Sequence, residues 1–122
     1  MIYGVVNPRC EAIVPLVVGN SNGQRQLIDA VIDTGFSGFL SLPPDIISTL
    51  SLPWRASDIG TLGDGSEVLF DLFSVDVIWD GQYRKVDVAG SEAEPLIGMA
   101  MLYKYKLKID TIAGGLVKIE AL

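Results

Sequence analysis

Apolar residues in this chain fall into short stretches in which they alternate with polar ones, a period of two rather than 3.6. Over 24–32, Leu27, Asp29 and Val31 share one side and Ile28, Ala30 and Ile32 the other, as on the two faces of a strand. A Val- and Leu-rich strand over 11–18 precedes it, and Asn20-Ser21-Asn22-Gly23 between them reads as a turn. Pro15 cannot donate to a ladder, so it marks an edge or a bulge. The pair is expected to be a hairpin whose second arm delivers Asp33 from its end.

The same reading extends over the rest of the chain. Residues 1–6 form a short apolar strand ended by Asn7-Pro8, and 39–42 a brief strand. Pro43-Pro44-Asp45 opens a short helix running to about residue 50, because Pro suits the first helical turn and Asp its positive end. Strands over 55–62 and 66–79 flank Gly63-Asp64-Gly65, a hairpin tip. The second of these arms is long enough to bend and serve two sheets. Asp80-Gly81 is a strong two-residue hairpin signal and returns the chain through 82–89. After a polar loop come a short apolar strand at 96–98, one or two helical turns over 99–103, and strands over 105–110 and 116–122. The expectation is one domain over 1–122, all-β and mostly antiparallel, a barrel or a sandwich with one or two short helices.

Composition narrows the chemistry. With 49% hydrophobic and 20% charged residues the chain can build a packed core. A formal net charge of −6 argues against a nucleic-acid surface or a polybasic membrane patch, and no apolar run approaches the length of a membrane span. There is no His, which removes Ser-His-Asp and Cys-His nucleophiles, an imidazole base and His-based zinc sites. The single Cys10 cannot form an intrachain disulfide and reads as a small, inert hydrophobe. That usage, with no cationic-plus-apolar leader pattern, fits a cytoplasmic protein. For an enzyme using neither metal nor cofactor, carboxylates are the best remaining acid–base groups.

One carboxylate stands out. In Ala30-Val31-Ile32-Asp33-Thr34-Gly35-Phe36-Ser37-Gly38 an apolar run ends in Asp33, and a charge at the mouth of a buried strand is costly unless something stabilises it. Asp33-Thr34-Gly35 after Val31-Ile32 resembles the active-site motif of aspartic proteases. Leu96-Ile97-Gly98 resembles the hydrophobic-hydrophobic-Gly element that threads beside that loop, and Gly63-Asp64-Gly65 falls where the family has its flap. Order and spacing resemble the single-domain, retroviral-type (retropepsin-like) members, and Asp33 to Gly38 with Leu42-Pro43 looks like their bacterial relatives.

The resemblance implies an acid-protease barrel and an endopeptidase without cofactor or metal. Asp33, Thr34 and Gly35 would be its catalytic loop, with Phe36 and the flap residues Gly63, Asp64 and Gly65 at the substrate. Two carboxylates within hydrogen-bonding reach share one proton, so one activates water while the other serves the developing oxyanion. Only one such motif is present. Ile109-Asp110-Thr111 repeats Ile-Asp-Thr but has Ile112 where Gly is needed, and Asp110 reads as a turn residue. The resemblance therefore implies a homodimer in which two Asp33 carboxylates meet on the two-fold axis, acting on an extended peptide. It further implies Thr34 in a cross-subunit hydrogen-bond network and terminal strands shared between subunits.

Phe36 replaces the Ala or Ser common in the family, so it either lines a substrate pocket or packs beneath the loop. Trp54, Trp79, Phe70 and Phe73 read as core or interface, and Asp58, Asp64, Glu67 and Asp71 as a solvated hairpin rather than a Ca²⁺ site. Fold and activity are separate claims. A non-catalytic dimerisation or peptide-binding module with the same fold is the competing function, and a monomeric barrel for a small apolar ligand a third that leaves Asp33 unexplained.

Overall fold

The computed structural model describes residues 1–122. Ten strands and two short helices follow in the order β1 (Ile2–Val6), β2 (Ala12–Gly19), β3 (Arg25–Ile32), β4 (Leu40–Leu42), α1 (Pro44–Thr49), β5 (Trp54–Thr61), β6 (Glu67–Trp79), β7 (Gln82–Gly90), β8 (Leu96–Ile97), α2 (Met99–Leu102), β9 (Tyr105–Ile109) and β10 (Leu116–Ala121). All strands belong to one sheet, ordered β5-β6-β7-β4-β8-β3-β2-β1-β10-β9, and an extra β6–β2 pairing closes six of them into a barrel. The closure is made by Val18 opposite Val77 and Gly19 opposite Asp76.

The alternation read from the sequence decides what the barrel encloses. Val14, Leu16 and Val18 of β2 point inward, as do Ile28 and Ala30 of β3, Val75, Val77 and Trp79 of β6, and Val86 and Val88 of β7. Leu40, Leu42, Ile97 and Met101 complete the centre, each at most 1% exposed. Between them the outward residues stay wet: Leu27 is 68% exposed while its neighbour Ile28 is buried. Pro15 sits where β2 lacks a second neighbour, because β1 pairs only at Ala12 and Ile13 and β6 only at Val18 and Gly19. Its missing N–H thus leaves no ladder bond unmade.

The 13-residue β6 does not serve two sheets, because all strands lie in one; it pairs instead with three neighbours, β5, β7 and, at Asp76 and Val77, β2. Its first half pairs with β5 from Glu67 to Phe73, and its second with β7 from Leu72 to Trp79. The β5–β6 arm projects from the barrel, with Ile59 60% and Leu69 73% exposed. Asp80 and Gly81 take positive φ, 52° and 78°, as a tight two-residue hairpin requires. Pro44 opens α1 with Asp45 in its first turn.

Three further expectations need correction. Trp54 is 61% exposed rather than core, because it starts β5 on the outward face, where its indole N–H donates to Asp71. Cys10 is exposed in the β1–β2 turn at φ 63°, so it contributes nothing to the core. The C-terminal strand is occupied within the chain: β10 pairs with β1 on one edge and β9 on the other, whereas β1 meets β2 only at Val5 and Val6. The N-terminal ammonium likewise forms an ion pair with Asp80 of the same chain.

Candidate active site

β3 pairs with β2 along most of its length and with β8 over its last two residues, and its end is where the ladder releases the chain. β8 lies parallel to β3, with Val31 beside Leu96 and Ile32 beside Ile97, and antiparallel to β4 on its other side. Leu96-Ile97-Gly98 is therefore threaded between the strand that enters the Asp33 loop and the strand that leaves it. The Asp33 N–H donates to the Ile97 carbonyl at 2.9 Å, extending the parallel ladder to the carboxylate-bearing residue.

Beyond Asp33 the loop turns tightly. The Phe36 N–H donates to the Asp33 carbonyl at 3.1 Å, and the Gly35 N–H donates to Asp33 Oδ1 at 2.9 Å. A Cβ on Gly35 would stand 3.2 Å from that same oxygen, so Gly keeps the amide's approach to the carboxylate open. The loop is then tied to the segment after β8: the Gly98 N–H donates to Phe39, Met99 to Phe36 and Ala100 to Gly38. At Gly98 a Cβ would lie 2.1 Å from the Gly38 carbonyl oxygen and 2.8 Å from that of Phe36. Only Gly lets the two segments come this close. Thr34 is exposed, and its hydroxyl makes no hydrogen bond within the chain.

Phe36 packs against the loop and also lines a cavity. Its ring packs over Gly38 and Gly98, with atoms within 2.7 Å of where either Cβ would be. It also lines a cavity of about 270 Å³ shared by the loop and the stem of the β5–β6 hairpin. Phe39 lies on the loop side, Phe70 and Leu72 on the hairpin side, and Asp58 and Asp87 supply its carboxylates. Asp58 pairs with Phe70 in the register, so the two project from the same face of the hairpin.

The tip of that hairpin is arranged differently. Gly65 takes φ 85°, and its N–H donates to Leu62 at 2.9 Å. The Asp64 carboxylate accepts from the Ser66 hydroxyl and N–H, which holds its pKa below the ordinary 3.8. Nothing lies within 4 Å of a Cβ built on Gly63 or Gly65, so the tip stands in open space. The structure brings Asp33, Thr34, Gly35 and Phe36 together with Gly98. It sets the hairpin stem, rather than Gly63, Asp64 or Gly65, against them. Asp58 is exposed, as a solvated hairpin residue would be, and it also lines the cavity. The period-two pattern of 56–60 against 68–72 carries that signal once the tip is fixed. The largest cavity, about 520 Å³ around Tyr83, Tyr103 and Tyr105, shares no residue with the Asp33 loop.

A scan against models of protein families finds no match, and a search of curated proteins finds no relative. Solved structures do match. The chain is similar to a retropepsin-like aspartic protease from Rickettsia conorii, with a TM-score of 0.63 and 18% identity over 99% of this chain and 90% of that one. It is also similar to the EIAV protease complexed with the inhibitor HBY-793, with a TM-score of 0.57 and 16% identity over 79% of this chain and 88% of that one. The fold is retropepsin-like, and the all-β, closed-barrel expectation holds.

Proposed function

We propose that this chain is an aspartic endopeptidase that works as a homodimer and needs neither metal nor cofactor. The observation that carries the reading is the Asp33 loop itself. Its carboxylate is presented at the end of β3, fixed through the backbone by Ile97, and bonded by the Gly35 N–H, in a fold like that of known aspartic proteases. One chain supplies one such carboxylate, so the site is complete only when a second copy brings its own Asp33 to the two-fold axis.

The chemistry then follows from charge. Two carboxylates that close cannot both ionise easily, so the pair holds one proton. The ionised member takes a proton from water as the water attacks the peptide carbonyl, and the protonated member donates to the developing oxyanion. The hairpin stem lies over an extended substrate, excludes water and offers main-chain hydrogen bonds.

A peptide-library digest from acidic to neutral pH tests this. Wild-type protein is expected to cleave, and Asp33→Asn to abolish cleavage while sedimenting as the same folded dimer. The rate should follow a bell in pH, falling on the acid side when both carboxyls are protonated and on the alkaline side when both are ionised. A folded dimer that cleaves nothing at any pH discards the enzyme and leaves a peptide-binding or dimerisation module.

A further inference from the structure

We propose that the cavity between the Asp33 loop and the hairpin stem is a side-chain subsite that selects lysine or arginine, with Asp58 as its specificity-determining residue. The proposal rests on the peptide-cleft reading above and names the substrate class for that cleft.

At about 270 Å³ the cavity falls below the roughly 300 Å³ at which small-molecule sites begin, so it suits one side chain rather than a whole ligand. Its walls are apolar and aromatic: Phe36 and Phe39 on one side, Phe70 and Leu72 on the other. That lining suits the long methylene stem of a basic residue, which buries its carbons and keeps its charged head at a polar rim. The rim has two carboxylates and no cation of its own. Asp87 is already neutralised by an ion pair with Arg55. Arg84 is engaged over the Phe39 ring, its guanidinium 5.4 Å from the ring centroid, and does not line the cavity.

Asp58 is the remaining charge. One of its oxygens accepts the neighbouring Ile59 N–H at 2.8 Å, and no Lys or Arg of the chain pairs with it. It is the only charged residue on the hairpin face that carries Ala56, Gly60, Val68, Phe70 and Leu72, the face turned to the loop. Asp58 is exposed at the cavity rim, so beside an apolar occupant it stays solvated but gains no counter-charge. An ammonium or guanidinium supplies one, and a charge-assisted hydrogen bond with it. Because Phe36 is three residues from Asp33, the occupant belongs to one of the positions nearest the scissile bond.

Matched peptides carrying Lys, Arg, Leu or Glu at the positions flanking the cleavage site test the proposal. Wild-type kcat/KM is expected to favour Lys or Arg over Leu at one of them by at least tenfold, with Glu the poorest. Asp58→Asn should bring the Lys-to-Leu ratio close to one, and Asp58→Lys should invert the Lys-to-Glu preference. Ratios within one variant are independent of how much of it folds. A parallel measurement on Asp33→Asn, by calorimetric titration with the same peptides, reads the pocket without turnover. There Lys peptides should bind at least tenfold tighter than Leu peptides, with the margin shrinking as salt screens the exposed carboxylate. Equal or Leu-favouring affinities, or a Lys-to-Leu ratio unchanged by Asp58→Asn, overturn the subsite. Absence of cleavage with Lys-selective binding intact overturns the protease reading alone.

Discussion

Glycines at similar-looking turns differ sharply in what they do. At Gly98 a methyl group would meet two backbone carbonyl oxygens that cannot move without pulling the Asp33 loop apart. Gly98→Ala is therefore expected to lower unfolding stability by about 3 kcal/mol, the upper end of overpacking costs, as a shift in denaturant midpoint. Gly63→Ala, with open space around it and ordinary φ, should change stability by less than about 0.5 kcal/mol. Asp64 provides a titration at the same tip. Its pKa is depressed by Ser66, so the tie is present above the ordinary 3.8 and is lost as pH falls through the lower folded value. The Ser66 amide resonance should titrate with an apparent pKa below 3.8; a midpoint at or above that value would contradict the hydrogen bonds. Asp33 itself was legible in the sequence as an awkward carboxylate. Asp58 was not, because its meaning depends on which side of a projecting hairpin faces the loop.

β6 is one strand with two environments. Val75 and Val77 are buried in the barrel wall, while Val68 and Leu69 stand exposed on the projecting arm. Opening free energy follows buried contacts rather than strand membership. Amides over 67–71 should thus exchange with deuterium markedly faster than those over 75–79, and equal protection along the strand would refute the division. The Asp80–Gly81 turn lies at the protected end. Gly81→Ala, forced into φ 78°, should cost about 1 kcal/mol without altering the register. Both hairpins and the entry to α1 were legible because their signals are local: Asp-Gly, Gly-Asp-Gly and Pro-Pro-Asp fix backbone angles within a few residues. The exposure of Trp54 and Cys10 was not, since hydrophobicity assigns a preference for burial and only neighbouring strands provide it.

At the scale of the molecule, the proposed function is a property of two chains, while the C-terminal strand is flanked on both edges within one. That strand, β10, lies between β1 and β9, and the proposed dimer would bring the two Asp33 loops together. Thr34 lies there, exposed and with no hydrogen-bond partner in its own chain. Thr34→Val is expected to leave the monomer's stability within about 0.5 kcal/mol. It should weaken dimerisation by several-fold or more in sedimentation equilibrium, and an unchanged dimer constant would remove Thr34 from the interface. By itself the sequence determined the alternating strands, the tight turns, the absence of His and the lone Asp-Thr-Gly, because each is written in neighbouring residues. Only the tertiary structure decided that β2 closes on β6, that Gly98 slips beside Phe36 and Gly38, that the termini pair at home and that Asp58 faces the loop. Those outcomes depend on contacts between residues far apart in the chain, where register and closure, rather than local preference, set which side chains meet.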